Sequence, residues 1–424
     1  MPPNAITGAR VKTALQSIAA LLLASFVLYM GNGLQGTLLS VRAGIEEFPT
    51  ALIGVLMSGY YFGFILGCRY VPRMIAGAGH IRTYVALASI ASSSALAHAI
   101  VVEPVTWIGL RAITGFCFAG MAMVIESWLN ERATNETRGS ILSVYRVVDL
   151  GALTVGNALL GLASPSTFVP FAIVSILVSL ALVPIALSNT QAPKPVAVAK
   201  LNIRALYRVS PVGALAALAT GLANAAFWSM GPIFVQQGGY GPEIIGLFMS
   251  AVIIGATLSQ WPLGFLSDRI DRRFVIAACC LGTVLASLAM GVFALESKTN
   301  LLWIGAAFGA TLLPIFGLSV AHANDLTDPS ESVATNGGLL LLHGLGAVIG
   351  AFAGAGVMAL FGPSSLFLYI AGIYAAILVL VLARILRRAN VTKDSKEDFV
   401  PLARNASTTV FRIAEDDLGT IGED

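Results

Sequence analysis

The chain has 424 residues, of which 57% are hydrophobic and only 11% charged, with a net charge of +3. Soluble proteins average about 25% charged residues, so this composition leaves too little polar surface to face water. It excludes a soluble globular enzyme, a disordered chain and a nucleic-acid binder, and the small net charge implies no polyanionic partner.

A helix needs about 20 mostly apolar residues to cross a bilayer. Windows of that length predict twelve spans in an all-α integral membrane protein. The first six cover 14–39, 49–68, 81–102, 104–128, 138–162 and 167–188. The second six cover 211–236, 242–264, 273–295, 299–323, 332–360 and 363–386. Membrane strands would alternate polar and apolar residues over about ten positions, and no such pattern is present. The first apolar run continues to about Leu39, longer than a signal-peptide core, so it reads as a span.

The polar, basic stretch 189–210 separates a six-helix bundle over 1–188 from a second over 211–388; a charged tail, 389–424, follows. Almost all basic residues fall on one side of the predicted topology, in segments such as Arg69–Arg82, Lys194–Arg208 and Arg269–Arg273. The opposite loops hold only Arg42 and Lys298. The positive-inside rule then puts both termini in the cytoplasm. Trp107-Ile108-Gly109 recurs as Trp303-Ile304-Gly305, and Leu150-Gly151-Ala152 as Leu345-Gly346-Ala347, at nearly constant offset. A duplicated six-span unit with a site between its halves is a transporter architecture.

Cys68, Cys117, Cys279 and Cys280 lie in or beside apolar runs without metal-ligand spacing, so neither a disulfide framework nor a metal site follows. No P-loop, no H-E-x-x-H and no G-x-S-x-G is present, which removes ATP drive and leaves no nucleophile or metal set for an enzyme. No cofactor is expected.

The loop joining spans eight and nine reads Gly264-Phe265-Leu266-Ser267-Asp268-Arg269-Ile270-Asp271-Arg272-Arg273. It resembles the G-x-x-x-D-R-x-G-R-R signature of the major facilitator superfamily, with Asp271 in place of the second glycine. Gly264 permits close helix packing, and Asp268 can accept charge-assisted bonds from basic residues on a neighbouring helix. Together with Arg269, Arg272 and Arg273 they form a candidate helix-end lock. The equivalent first-half loop, Gly67 to Arg82, has no acid at that place, and Glu126 is the substitute able to pair with Arg73 or Arg82.

In span four, Arg111 with Gly115 resembles the R-x-x-x-G element of superfamily members. A membrane arginine is costly and faces protein or water; here it is either a structural clamp or a fixed positive charge favouring an anionic or zwitterionic solute. Glu126-Ser127-Trp128-Leu129-Asn130 through Arg138-Gly139 is similar to a segment of the bacterial YcaD-type branch. It reads as a cytoplasmic interface, with Glu126 and Arg138 placed for gating ion pairs.

Arg146 and Asp149 in span five are three residues apart and share a face. They lie about 12 and 16 Å past Arg138, so Asp149 falls near the midplane. The pair is a candidate for substrate or proton coupling, or a static ion pair. Gly151, Gly156 and Gly161 suit close packing; the proline of the antiporter glycine element is absent, and Asn157 follows Gly156. His343 aligns within one residue of Asp149 under the repeat and is a candidate proton relay across the cavity, with His98 and His322 in lesser roles. Asn32, Gln35, Asn224, Trp228 and Gln260 are candidate cavity-lining groups.

The resemblance implies a monomeric secondary transporter in the bacterial inner membrane. Its two bundles would rock about a midplane site, moving a small organic solute with proton coupling. An uncoupled facilitator and a proton-driven multidrug efflux antiporter remain open alternatives; a channel or a membrane-embedded enzyme fits less well.

Overall fold

The computed structural model describes residues 3–132, 138–187, 206–207, 209–327 and 331–387. Residues 189–205 and 208 of the expected linker 189–210, the tail 389–424 and the side chains of Arg10, Lys12 and Arg138 lie outside the described residues. The first-half helices are α1 (Pro3–Ile45), α2 (Thr50–Ala78), α3 (His80–Ile100), α4 (Pro104–Arg132), α5 (Arg138–Ala158), α6 (Val169–Leu180) and the short α7 (Leu182–Ala186). The second half has α8 (Pro211–Gln237), α9 (Pro242–Arg269), α10 (Arg272–Phe293), α11 (Lys298–Leu312), α12 (Pro314–Asn324), α13 (Ser332–Phe361) and α14 (Ser365–Arg387).

Two expected spans are therefore each broken into two helices. The tenth divides at Leu313 because Pro314 lacks the N–H that a continuous helix would use. Eleven segments among the described residues are long and apolar enough to span a bilayer. The twelfth, α5, is long enough, but Arg146 and Asp149 lower its apolar character. Trp261, Trp303, Leu360, Phe361 and Leu386 are exposed on the outer surface, as lipid-facing groups should be.

Local signals set the helix ends. Gly79 joins α2 to α3 at φ +84°, a conformation that favours glycine. The Glu103 carboxylate accepts the backbone N–H groups of Val105 (2.9 Å) and Thr106 (2.6 Å), capping α4. The Thr106 and Val105 bonds hold that carboxyl below the usual carboxylate range. Ser297 and Ser210 cap α11 and α8 similarly.

Glycines at four helix crossings show a repeated design. In the first half, α1 crosses α5 through Gly33 and Gly156, and α2 crosses α4 through Gly63 and Gly115. In the second, α8 crosses α13 through Gly221, Gly346 and Gly350, and α9 crosses α11 through Gly255 and Gly309. At most of these a methyl would meet a facing carbonyl oxygen, so the backbones themselves touch. The crossings repeat between the halves, but the repeated tripeptides do not mark them: Gly109 and Gly151 face open space, whereas Gly305 packs on α9 and Gly346 on α8.

The halves meet along α2–α13, α5–α9 and α1–α8. Ser58 donates to the Val348 carbonyl at 2.8 Å, Ser250 to that of Thr154 at 3.0 Å and the Gln236 amide to that of Val41 at 3.1 Å. Gly54 packs on Ala351 and Ala355, and Gly246 on the Asn157 carbonyl. These contacts favour the end of the molecule opposite the basic loops.

Candidate functional site

A small pocket lies in the first half where Trp228 of α8 closes against it. Its walls are α1 (Asn32, Gly33, Gly36, Thr37), α2 (Met57, Tyr60, Tyr61), α4 (Arg111), α5 (Asn157) and α8 (Trp228). Arg111 is 3% exposed, and its guanidinium carbon lies 4.5 Å from the centroid of the Tyr60 ring. That geometry is a cation–π contact, which offsets part of the cost of burying the cation. Asn157 donates to the Leu153 carbonyl at 2.8 Å and accepts from the Thr37 hydroxyl, fixing its amide across the α1–α5 crossing. The lining thus offers one cation, neutral amides and hydroxyls, and aromatic faces. Such a mixture suits a small polar or charged solute with an apolar part.

Toward the basic-loop end of the same α1–α5 cleft lies a second polar group. Arg146 donates to Asp149 at 2.5 Å, with the side chains 6% and 1% exposed. Helical spacing brings them together, as their three-residue separation predicts. The Tyr29 and Tyr145 hydroxyls meet at 3.0 Å. Glu126 from α4 is also buried. Glu126 is thus an inward-facing group, whereas Arg73 and Arg82 are exposed and Arg73 lies beside the Tyr70 ring.

At the basic-loop end of the second half, Arg272 is almost fully buried. It donates to Asp325 through Nε (2.7 Å) and Nη2 (3.3 Å), and through Nη1 to Asp268 (2.8 Å) and Ser267 (3.0 Å). One guanidinium therefore ties the ends of α9 and α12 to the start of α10. Arg273 holds Asp271 with its Nε and Nη2 (2.7–3.1 Å) and reaches the Arg384 carbonyl at 3.2 Å. Burial pushes the Asp271 carboxyl up, but the Arg273 bonds outweigh it and hold the group below its ordinary value. Arg269 instead lies over the Phe265 ring, and the Gly264 carbonyl accepts from Ser267.

Other expected residues fall into separate places. His343 lies 3.2 Å from the Thr220 hydroxyl and packs on Phe316, within the second half. His98 bonds the Ser94 carbonyl and packs on Trp107. Gln35, Asn224 and Gln260 are buried, and Gln35 has neither amide atom hydrogen-bonded. Asn32 and Trp228 line the pocket; these three do not.

Sequence reasoning missed Asp325, Tyr60, Tyr61, Thr37, Met57 and the Tyr29–Tyr145 contact. Asp325 carried the clearest signal: an acid at the basic-loop end of a span, available to an arginine-rich motif.

The comparisons agree with this architecture. Residues 213–414 match the model of the Major Facilitator Superfamily. An uncharacterized MFS-type transporter of Yersinia pestis is 25% identical over 355 residues, covering 82% of this chain and 90% of that one. The uncharacterized MFS-type transporter YcaD of Salmonella typhimurium is 24% identical over 374 residues, covering 88% and 97%. Among solved structures, the nucleoside transporter NupG superposes with a TM-score of 0.75 at 15% identity, over 87% of this chain and 99% of that one. A bacterial homologue of the lysosomal transporter Spinster, inward-facing and occupied, gives 0.70 at 14% identity, over 90% and 98%. This multi-pass membrane protein has the fold of major facilitator superfamily transporters, matches that superfamily's model over 213–414 and is similar to its YcaD-type members.

Proposed function

We propose that this transporter couples the movement of a small anionic or zwitterionic organic solute to protons, with Asp149 as the proton-accepting group. The observation that carries this reading is the membrane-buried Arg146–Asp149 pair in the cleft that leads to the Arg111 pocket. Ionisable groups at that depth are expensive and are retained where they work. Protonating Asp149 would cancel its attraction for Arg146 and change the charge next to the solute path. The solute would sit against Arg111, Asn32, Asn157 and Trp228.

On this reading 1–188 and 211–388 are the two rocking bundles, 189–210 their cytoplasmic linker and 389–424 a cytoplasmic tail. The chain acts as a monomer in the bacterial inner membrane, with both termini inside. His343 would serve the second half as a hydrogen-bonding pivot or relay. The lock of Gly264, Asp268, Arg269, Arg272 and Arg273, with Glu126 and Arg138 in the first half, would gate the basic-loop end.

A multidrug-type efflux antiporter is the second reading. The aromatic walls Tyr60, Tyr61 and Trp228 favour it, and Asn157 at the place of the antiporter proline weighs against it. A thermal-shift screen at two pH values identifies a solute, and its flux is then followed in proteoliposomes with an imposed pH gradient. Full pH-driven transport by Asp149→Asn would overturn proton coupling at this residue.

A further inference from the structure

A further internal repeat lies where the two halves touch. Ile53-Gly54-Val55-Leu56-Met57-Ser58 near the start of α2 recurs 192 residues later as Ile245-Gly246-Leu247-Phe248-Met249-Ser250 near the start of α9. The isoleucine, glycine, methionine and serine are identical in the two segments, and all eight of these residues are buried.

The contacts repeat with the residues. Ser58 donates to the Val348 carbonyl of α13 at 2.8 Å, and Ser250 to the Thr154 carbonyl of α5 at 3.0 Å. One turn earlier, a methyl on Gly54 would meet the Ala351 carbonyl oxygen, and one on Gly246 the Asn157 carbonyl oxygen. The facing residues keep one register, since Thr154 and Asn157 each precede their counterparts Val348 and Ala351 by 194 residues. In both segments the glycine lets the helix of the other half approach to backbone contact. The serine one turn on then sets a hydroxyl against a carbonyl of that helix.

These bonds are suited to being made and broken. The acceptor carbonyls lie within helices, where the backbone ladder already serves them, so losing the serine strands no acceptor. Ser250 also lies 2.8 Å from the Gly246 carbonyl of its own helix, and its hydroxyl keeps that partner when the halves part. Both joints adjoin the pocket. Met57, next to Ser58, lines it, and so does Asn157, whose carbonyl faces Gly246.

We propose that the two Ile-Gly-x-x-Met-Ser segments are a matched pair of clasps that act together as the gate at the end opposite the basic loops. The proposal rests on the reading that the two bundles rock about the pocket. Because each bundle carries one serine and one acceptor, a single rotation of the bundles opens both clasps, and weakening either one favours the same open form.

The test is double electron–electron resonance on the full-length protein in lipid nanodiscs. Nitroxides are attached to ketone-bearing residues, so the native cysteines are kept. A pair at Glu47 and Leu360 reads the α2–α13 clasp, a pair at Leu162 and Leu247 reads the α5–α9 clasp, and a pair at Ala76 and Glu331 reads the basic-loop end; all six positions are exposed. Ser58→Ala is expected to raise the long-distance population at both outer pairs by about fivefold. Ser250→Ala should raise it by less, because that hydroxyl has a second partner in its own helix, and the double variant by more than either. The Ala76–Glu331 distance should shorten in step. Unchanged outer distances in the double variant would overturn the gate. Lengthening confined to the clasp that was cut would overturn it too, because it marks two local contacts. If Ser250→Ala fails to fold, Ser58→Ala read at the α5–α9 pair decides on the same terms. Lengthening at both outer pairs without shortening at Ala76–Glu331 supports the gate and refutes the rocking; unchanged outer distances refute the gate and leave the rocking standing.

Discussion

Arg272 at the start of α10 and Asp325 at the end of α12 are joined by two hydrogen bonds although 53 residues separate them, and both side chains are nearly inaccessible. Removing one member of such a pair strands the other charge away from water. Asp325→Asn is therefore expected to cost about 3–5 kcal/mol. Asp268→Asn should cost less, because that carboxylate is 32% exposed and water replaces part of what it loses. Thermal unfolding in detergent checks the order; a larger effect at Asp268 would contradict the assignment of Asp325 as the main partner.

The Arg146–Asp149 pair should show strong coupling. Asp149→Asn leaves Arg146 buried without its counter-charge and is expected to destabilise by about 3–5 kcal/mol. Arg146→Gln combined with Asp149→Asn should recover much of that loss. A double-mutant cycle measures the difference, and additive single effects would show that the two side chains do not depend on one another.

Acid sensitivity should concentrate at Asp271. Its carboxyl is held below the usual value in the folded protein, against about 3.9 when unfolded. A lowered folded value means the stabilisation is fully present above the unfolded value and disappears as pH falls through the folded one. Wild type should therefore lose thermal stability more steeply below about pH 4 than Asp271→Asn. Parallel acid limbs for the two proteins would refute this.

Close helix crossings predict where a single methyl is intolerable. A methyl at Gly115 would meet the Tyr60 carbonyl oxygen and press α4 away from α2 at the pocket wall. Gly115→Ala is expected to cost about 1–3 kcal/mol or more by overpacking and to weaken solute binding as well. Gly151→Ala, with open space around it, should be neutral. Melting temperatures of the two variants make the comparison, and equal losses would contradict the packing.

Much of this fold was legible because lipid imposes it: each apolar run long enough to cross became a helix or a helix pair. The Arg146–Asp149 pair was legible too, since both partners lie on one helix and spacing alone brings them together. Asp325 was not, because its partner is on another helix and only the packing of α10 against α12 makes them neighbours. Tyr60 and Tyr61 were hidden for a related reason. An aromatic residue in an apolar run looks the same whether it faces lipid, a neighbouring helix or a pocket. Glu126 sat at the end of a span, where an acid reads as a loop partner; in the structure its side chain is buried.

The contacts between Gly54 and Ala351, and between Gly246 and the Asn157 carbonyl, have a consequence for the transport cycle. A seam made of backbone and hydrogen-sized side chains holds only while nothing thickens it. A valine at Gly54 would act as a wedge between α2 and α13. It should tip the resting population toward the form open at that end, seen as longer distances between spin labels on the two helices. The balance between the two forms would then rest on the thinness of that rim, and a single side chain there would reset it without touching the pocket.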